Sequence, residues 1–173
     1  MTRSQRLRRV GILCCHCLRN LAFYNAGWRY AEARLKDQFW LNANGNFLDI
    51  AALEWCKLFA DSRGKHFWRK IISNPAVFWD GLLNELGLSD TLFNDYVNQM
   101  QTYRDKFVAH LDFEEVMHIP QLQVAVNSAT YLYDYLLAHE EDDGCFVDAP
   151  GSASDFYAKF LDEGTKVYEN IKA

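Results

Sequence analysis

"SDTLFNDYVNQMQTYRDKFVAHL", residues 89–111, repeats its large apolar side chains at the three- and four-residue steps of an α-helix. Turning successive residues by about 100° puts Leu92, Phe93, Tyr96, Met100, Tyr103, Phe107 and Leu111 on one stripe. Ser89 has the side chain of an N-cap, so the pattern predicts a helix over about 90–111. Such a stripe has to lie against other apolar surface, and the fold follows from what supplies it. Near the end of the helix stand Arg104, Asp105, Lys106 and His110. Arg104 and His110 border the stripe on opposite margins, about 120° apart in the same construction. Asp105 points nearly away from the stripe, and Lys106 lies one turn below His110.

The helical period continues on both sides. Leu7, Val10, Leu13, Cys14, Cys17, Leu18 and Leu21 predict a first helix over 4–35, with Gly27 as a point of interruption. "NANGN" (Asn42 to Asn46) reads as a loop or a helix start, because Asn and Gly suit turns and caps. Phe47, Ile50, Leu53 and Leu58 predict a second helix over about 47–61, closed by Gly64. "KHFWRKII" reads as a short helix. Ser73 or Asn74 then caps a helix over 75–86 that has Pro75 in its first turn and stops at Gly87. Pro120 opens another helix to about 139, carrying Leu122, Val126, Tyr133 and Leu136. The acidic "HEEDDGCFVDAPGSASD" is a solvated connection to a last helix over 153–171, with Phe156, Phe160, Val167 and Ile171 on its apolar side. No run alternates strictly enough to make a strand. The expectation is an all-α protein: one domain over 1–173, with a four-helix-bundle core and additional N- and C-terminal helical segments.

Half of the 173 residues are hydrophobic and 15% are aromatic, which excludes a disordered chain. A net charge of −5 argues against a protein that coats nucleic acid over its whole surface, but leaves room for local basic patches. Two stretches qualify: "RSQRLRR", with Arg3, Arg6, Arg8 and Arg9, and "SRGKHFWRK", with Arg63, Lys65, Arg69 and Lys70. Each reads either as a solvated face or as a phosphate-binding patch. Five cysteines, an odd number, with Cys14, Cys15 and Cys17 in "CCHC", do not form a disulfide framework. They read as small hydrophobes in a reducing compartment, and no second Cys/His pair stands near enough for zinc. Neither metal nor cofactor is expected. The apolar run "VGILCC" is too short for a signal-peptide core. No segment approaches the ~20 apolar residues of a membrane span, so the expected place is the cytoplasm, with no membrane contact.

Arg and His together suit phosphodiester cleavage without metal. Histidine takes and gives protons near neutral pH, and Arg grips a phosphate through parallel N–H donors. In a two-fold dimer, the stripe margins of two copies would face each other, and two Arg and two His would line one cleft. By spacing alone, Arg104, Asp105 and Lys106 read equally as surface ion pairs, and His110 as a packing or capping residue.

"YRDKFVAHLD", with Arg104-Asp105-Lys106-Phe107-Val108-Ala109-His110 inside it, resembles the R-x(4–6)-H signature of the HEPN superfamily, in particular its abortive-infection branch. With "LEWCKLFAD" upstream, the resemblance covers about residues 20–140. It implies a four-helix-bundle core that dimerises to build a composite site. It also implies a metal-independent endoribonuclease of phage-defence or toxin–antitoxin type, with Arg104 and His110 as the catalytic pair and Asp105 as their polar helper. Lys106 matches a frequent position of the branch. With Arg63, Lys65, Arg69 and Lys70 it is expected to contact substrate. Implied partners are a second copy of the chain, RNA, and an antitoxin or other protein. Many superfamily members are non-catalytic, so a helical nucleotide-binding or protein-interaction module is the alternative. Trp40, Trp55, Trp68, Trp79, Phe67 and Phe78 would serve such an interface, or else fill the core. "EVMH", Glu115 to His118, has the Glu-x-x-His spacing of carboxylate-bridged metals but falls at an expected helix break, where a surface role is the simpler reading.

Overall fold

Thr2 and Gln5 begin the first helix by reciprocal capping: the Thr2 hydroxyl accepts from Gln5 N at 3.2 Å, and the Gln5 amide oxygen accepts from Thr2 N at 3.0 Å. The computed structural model describes residues 2–109, 118–140 and 144–171. Within them α1 spans Arg3–Ala26, α2 Gln38–Phe59, α3 Pro75–Leu86, α4 Asp90–Tyr103, α5 Leu122–Tyr135 and α6 Ala153–Asn170. A 3-10 turn occupies Trp68–Lys70, and π-helical turns extend α4 over Arg104–Ala109 and α5 over Leu136–Glu140. The protein is all-α apart from one two-stranded ribbon. Among the described residues, no helix is long and apolar enough to cross a membrane.

The expected first helix over 4–35 divides at Gly27. Beyond it, β1 (Trp28–Arg29) pairs antiparallel with β2 (Glu32–Ala33), in the register Trp28 to Ala33 and Arg29 to Glu32. Tyr30 and Ala31 make the turn with φ of +50° and +62°. Positive φ at both central residues is the hairpin geometry that Asn and Gly favour, so the sequence carried no signal for it. The expectation of no strand is corrected here.

The second correction concerns "NANGN", which lies inside α2 rather than before it. Asn44 is buried in the fold, and burial gives it a task that turn chemistry does not anticipate. With its amide oriented to suit its neighbours, it donates to Tyr24 O and Tyr168 Oη, each at 3.2 Å, and accepts from Trp28 Nε1 at 2.9 Å. One side chain thereby ties the end of α1, the ribbon and α6 to α2, and this outweighs the modest helix propensity of Asn. A Cβ on Gly27 would come within 2.6 Å of the same amide. The other punctuation is where the residues put it: Asn74 caps α3 and Ser89 caps α4. Gly87 ends α3 in the left-handed conformation at φ +62°.

Helix α1 packs against α2, α5 and α6, while α2 meets α4 and α3 meets α5. Trp55, Trp68 and Phe78 are buried core residues, and Trp40, Trp79 and Phe67 are half-buried around them. Trp55 Nε1 donates to Ser128 Oγ at 2.9 Å, and that hydroxyl donates to Val124 O at 2.7 Å, so the polar groups of this buried pair are satisfied. On α4, Phe93, Tyr96, Met100 and Tyr103 are buried as the stripe requires, but Leu92 is exposed. Ile50 on α2 is likewise exposed, as is Val167 on α6, which buries Ala153, Gly164 and Tyr168 instead.

Candidate functional site around Arg104

Burial of the α4 stripe fixes how the chain arrives at Arg104. Tyr103 Oη donates to Asp49 Oδ1 at 2.7 Å, and Cys56 Sγ lies 3.6 Å from Met100 O, so α4 is keyed to α2 immediately before the motif. At Arg104 the helix widens to π-type i→i+5 bonding. The angular placement drawn on an ideal α-helix therefore no longer holds over Arg104–Ala109.

The Arg104 side chain is only 15% exposed. Its Nη1 donates to Asp61 Oδ1 at 2.5 Å and its Nε to Asp105 Oδ1 at 2.8 Å. Nη2 has no hydrogen-bond partner among the described residues. The hydrogen bond that Arg104 donates to Asp105, opposed by burial and joined by the one it donates to Asp61, pushes the guanidinium above its already high ordinary value. Arg104 is thus permanently charged. Burial pushes the neighbouring Cys56 thiol up to about 12, although Arg104 acts in the opposite direction, so no thiolate forms beside it. Asp105 does not simply point away: it turns back onto the arginine.

Asp61 was not legible as part of this site. It stands 43 positions from Arg104 and opens the loop that follows α2, where its own N donates to Cys56 O at 2.8 Å. That loop carries Arg63, Lys65, Arg69 and Lys70, all exposed. Arg69 lies over the Trp68 ring at 5.2 Å. The far end of the loop is fastened separately. Glu140, only 2% exposed, accepts from Ser73 N at 2.7 Å, Ser73 Oγ at 2.6 Å and Arg3 Nη2 at 2.5 Å. The loop is therefore clamped to α4 by Asp61 and to α1 and α5 by Ser73. Lys70 is carried to the α1 end, beside Arg3 and Arg6, rather than to Arg104.

Lys106 is half-buried on the π turn. His110 lies outside the described residues, as do Glu115 of "EVMH" and the side chains of Phe107, Val108 and Ala109. His118 is exposed. Among the described residues, no group of three or more His, Cys, Asp or Glu is arranged to hold a metal ion. In "CCHC", Cys14 and Cys17 are buried and Cys15 is half-buried; all three are unpaired thiols. Burial pushes Cys15 up to about 11 and the other two well above the ordinary thiol value. They act as apolar residues, as their setting in α1 suggested.

A charged, braced guanidinium at a helix-to-π junction can bind an oxyanion or hold two elements together. Comparison of the chain with protein-family models, with curated proteins and with solved structures returns no match.

Proposed function

We propose that the chain is a HEPN-like, metal-independent endoribonuclease of phage-defence or toxin–antitoxin type. In this reading two copies pair so that Arg104 and His110 of each line a shared cleft. One histidine takes the proton of a ribose 2′-hydroxyl, whose oxygen attacks the adjacent phosphorus. The other gives a proton to the departing 5′-oxygen, leaving a 2′,3′-cyclic phosphate and a free 5′-hydroxyl. Arg104 stabilises the charge that gathers on the non-bridging oxygens. Asp105 holds the guanidinium in place, and Lys106 with Arg63, Lys65 and Arg69 contacts the substrate backbone, while Lys70, expected among them, stands at the α1 end instead.

The supporting observation is the state of Arg104: fixed through Nε and Nη1, always charged, with Nη2 unused among the described residues. Expression of wild type, Arg104→Ala and His110→Ala in cells tests the proposal through growth arrest and RNA integrity. Wild type should arrest growth and cleave RNA, and both variants should lose both effects. Intact RNA under wild-type expression, or equal cleavage by the variants, overturns it.

A second reading is a non-catalytic nucleotide-binding or protein-interaction module, an antitoxin or scaffold. The double engagement of Arg104 by Asp61 and Asp105 favours it, since such a residue serves equally to tie the basic loop to α4. Under this reading Arg104→Ala lowers stability while RNA stays intact in every strain.

A further inference from the structure

The two basic stretches, more than fifty residues apart in sequence, meet in space. Arg3 and Arg6 on the first turns of α1 and Lys70 on the 3-10 turn line a cavity of about 250 Å³, with Leu7 and Ile71 as its apolar part. The charges in it are unequal in standing. Arg3 is matched by the buried carboxylate of Glu140, which Ser73 also saturates through its N–H and its hydroxyl. Arg6 and Lys70 form no ion pair with any described residue. Moreover, the Nε of Arg6 is buried without a hydrogen-bond acceptor. The Arg6 guanidinium thus lines the cavity with its charge unmatched, and an anionic oxygen is the partner that its remaining N–H donors favour.

From this arrangement we infer that the Arg6–Lys70 cavity is a seat for a phosphate group, carried as a phosphate monoester or as inorganic phosphate or pyrophosphate. Two uncompensated cations match a dianionic phosphate better than a singly charged carboxylate. Arg supplies a planar fork of donors and Lys a mobile point charge. The volume sets the size of the guest: pockets that enclose whole drug-sized ligands measure about 300–1,000 Å³, so this smaller seat takes the phosphate and leaves the rest of a larger ligand outside. Arg9, Lys65 and Arg69 are exposed on the same two stretches and add an attractive field without lining the cavity. The seat is independent of the chemistry proposed for Arg104.

The test titrates the full chain at low ionic strength with inorganic phosphate and with pyrophosphate, following heat and thermal unfolding. Saturable binding is expected. Arg6→Gln and Lys70→Gln should each weaken it by about tenfold or more, as loss of a charge-assisted contact does, while Arg63→Gln and Lys65→Gln change it by less than about twofold. Lys70 is exposed, so its variant carries the test even if Arg6→Gln folds poorly. A short 5′-phosphorylated oligonucleotide should displace pyrophosphate, and its unphosphorylated twin should not. Competition by the 5′-phosphorylated strand identifies a monoester as a source of the phosphate; competition by free phosphate without it restricts the seat to inorganic ions. Absence of saturable binding, equal loss in the Arg63 and Lys65 variants, or equal competition by the unphosphorylated strand overturns the inference.

Discussion

Arg104 Nη1 and Asp61 Oδ1 are 2.5 Å apart, joining the end of α4 to the start of the basic loop across 43 positions of sequence. The pair is largely enclosed on the arginine side and more open on the aspartate side, with side chains 15% and 36% exposed. Removing Asp61 leaves a mostly enclosed guanidinium with Asp105 as its one remaining partner among the described residues. Asp61→Ala should therefore cost about 1–2 kcal/mol, less than a fully buried pair would. Urea unfolding measures it. A double-mutant cycle with Arg104→Ala should give a coupling of about 1 kcal/mol; zero coupling would show that the contact contributes nothing in solution.

Glu140 presents the sharper case, because its carboxylate is buried and its partners come from α1 and from the end of the loop. Arg3→Ala strands that charge inside the protein and should destabilise by about 2–3 kcal/mol. Arg3→Ala combined with Glu140→Gln should recover much of the loss, since the uncompensated charge is then gone. Equal stability of the single and double variants would show that the carboxylate is not desolvated.

His66 gives the stability a pH dependence of defined sign. Burial, followed by Arg9 on α1 and Lys57 and Lys65 nearby, lowers its pKa from the ordinary 6.5, and Glu54 only partly opposes them. The folded state thus binds the proton less readily than the unfolded chain. Its contribution is fully present above about pH 6.5 and is lost as pH falls below that value toward the lowered one. Denaturant midpoints measured from pH 7.5 to pH 5 should fall for wild type and fall less for His66→Gln. Parallel curves would count against this placement of His66.

The ribbon turn predicts a gain. Ala31 holds φ at +62°, where an L side chain crowds its own backbone and glycine does not. Ala31→Gly should raise stability by roughly 0.5 kcal/mol, the strain relief being partly offset by the greater freedom of the unfolded chain. Calorimetry would show this as a small rise in melting temperature. At Gly27 the opposite holds: Gly27→Ala drives a methyl into the Asn44 amide and should cost about 1–3 kcal/mol.

Helical periodicity, Asn74, Pro75, Gly87 and Ser89 determined the all-α class and the limits of α3 and the start of α4, because caps and breakers act through bonds within a few residues. Trp55, Trp68 and Phe78 read from sequence as interface or core, and their burial selects the core. Arg104 and Asp105 were legible as a polar cluster, though not the company they keep. Tertiary contact alone brought Asp61 to Arg104, Glu140 to Arg3 and Ser73, and Lys70 to Arg6. It also made Asn44 a buried clasp inside a helix and turned Tyr30 and Ala31 into a hairpin. Asn44, Glu140 and Arg104 depend on burial by residues distant in the chain, a quantity that no local spacing encodes.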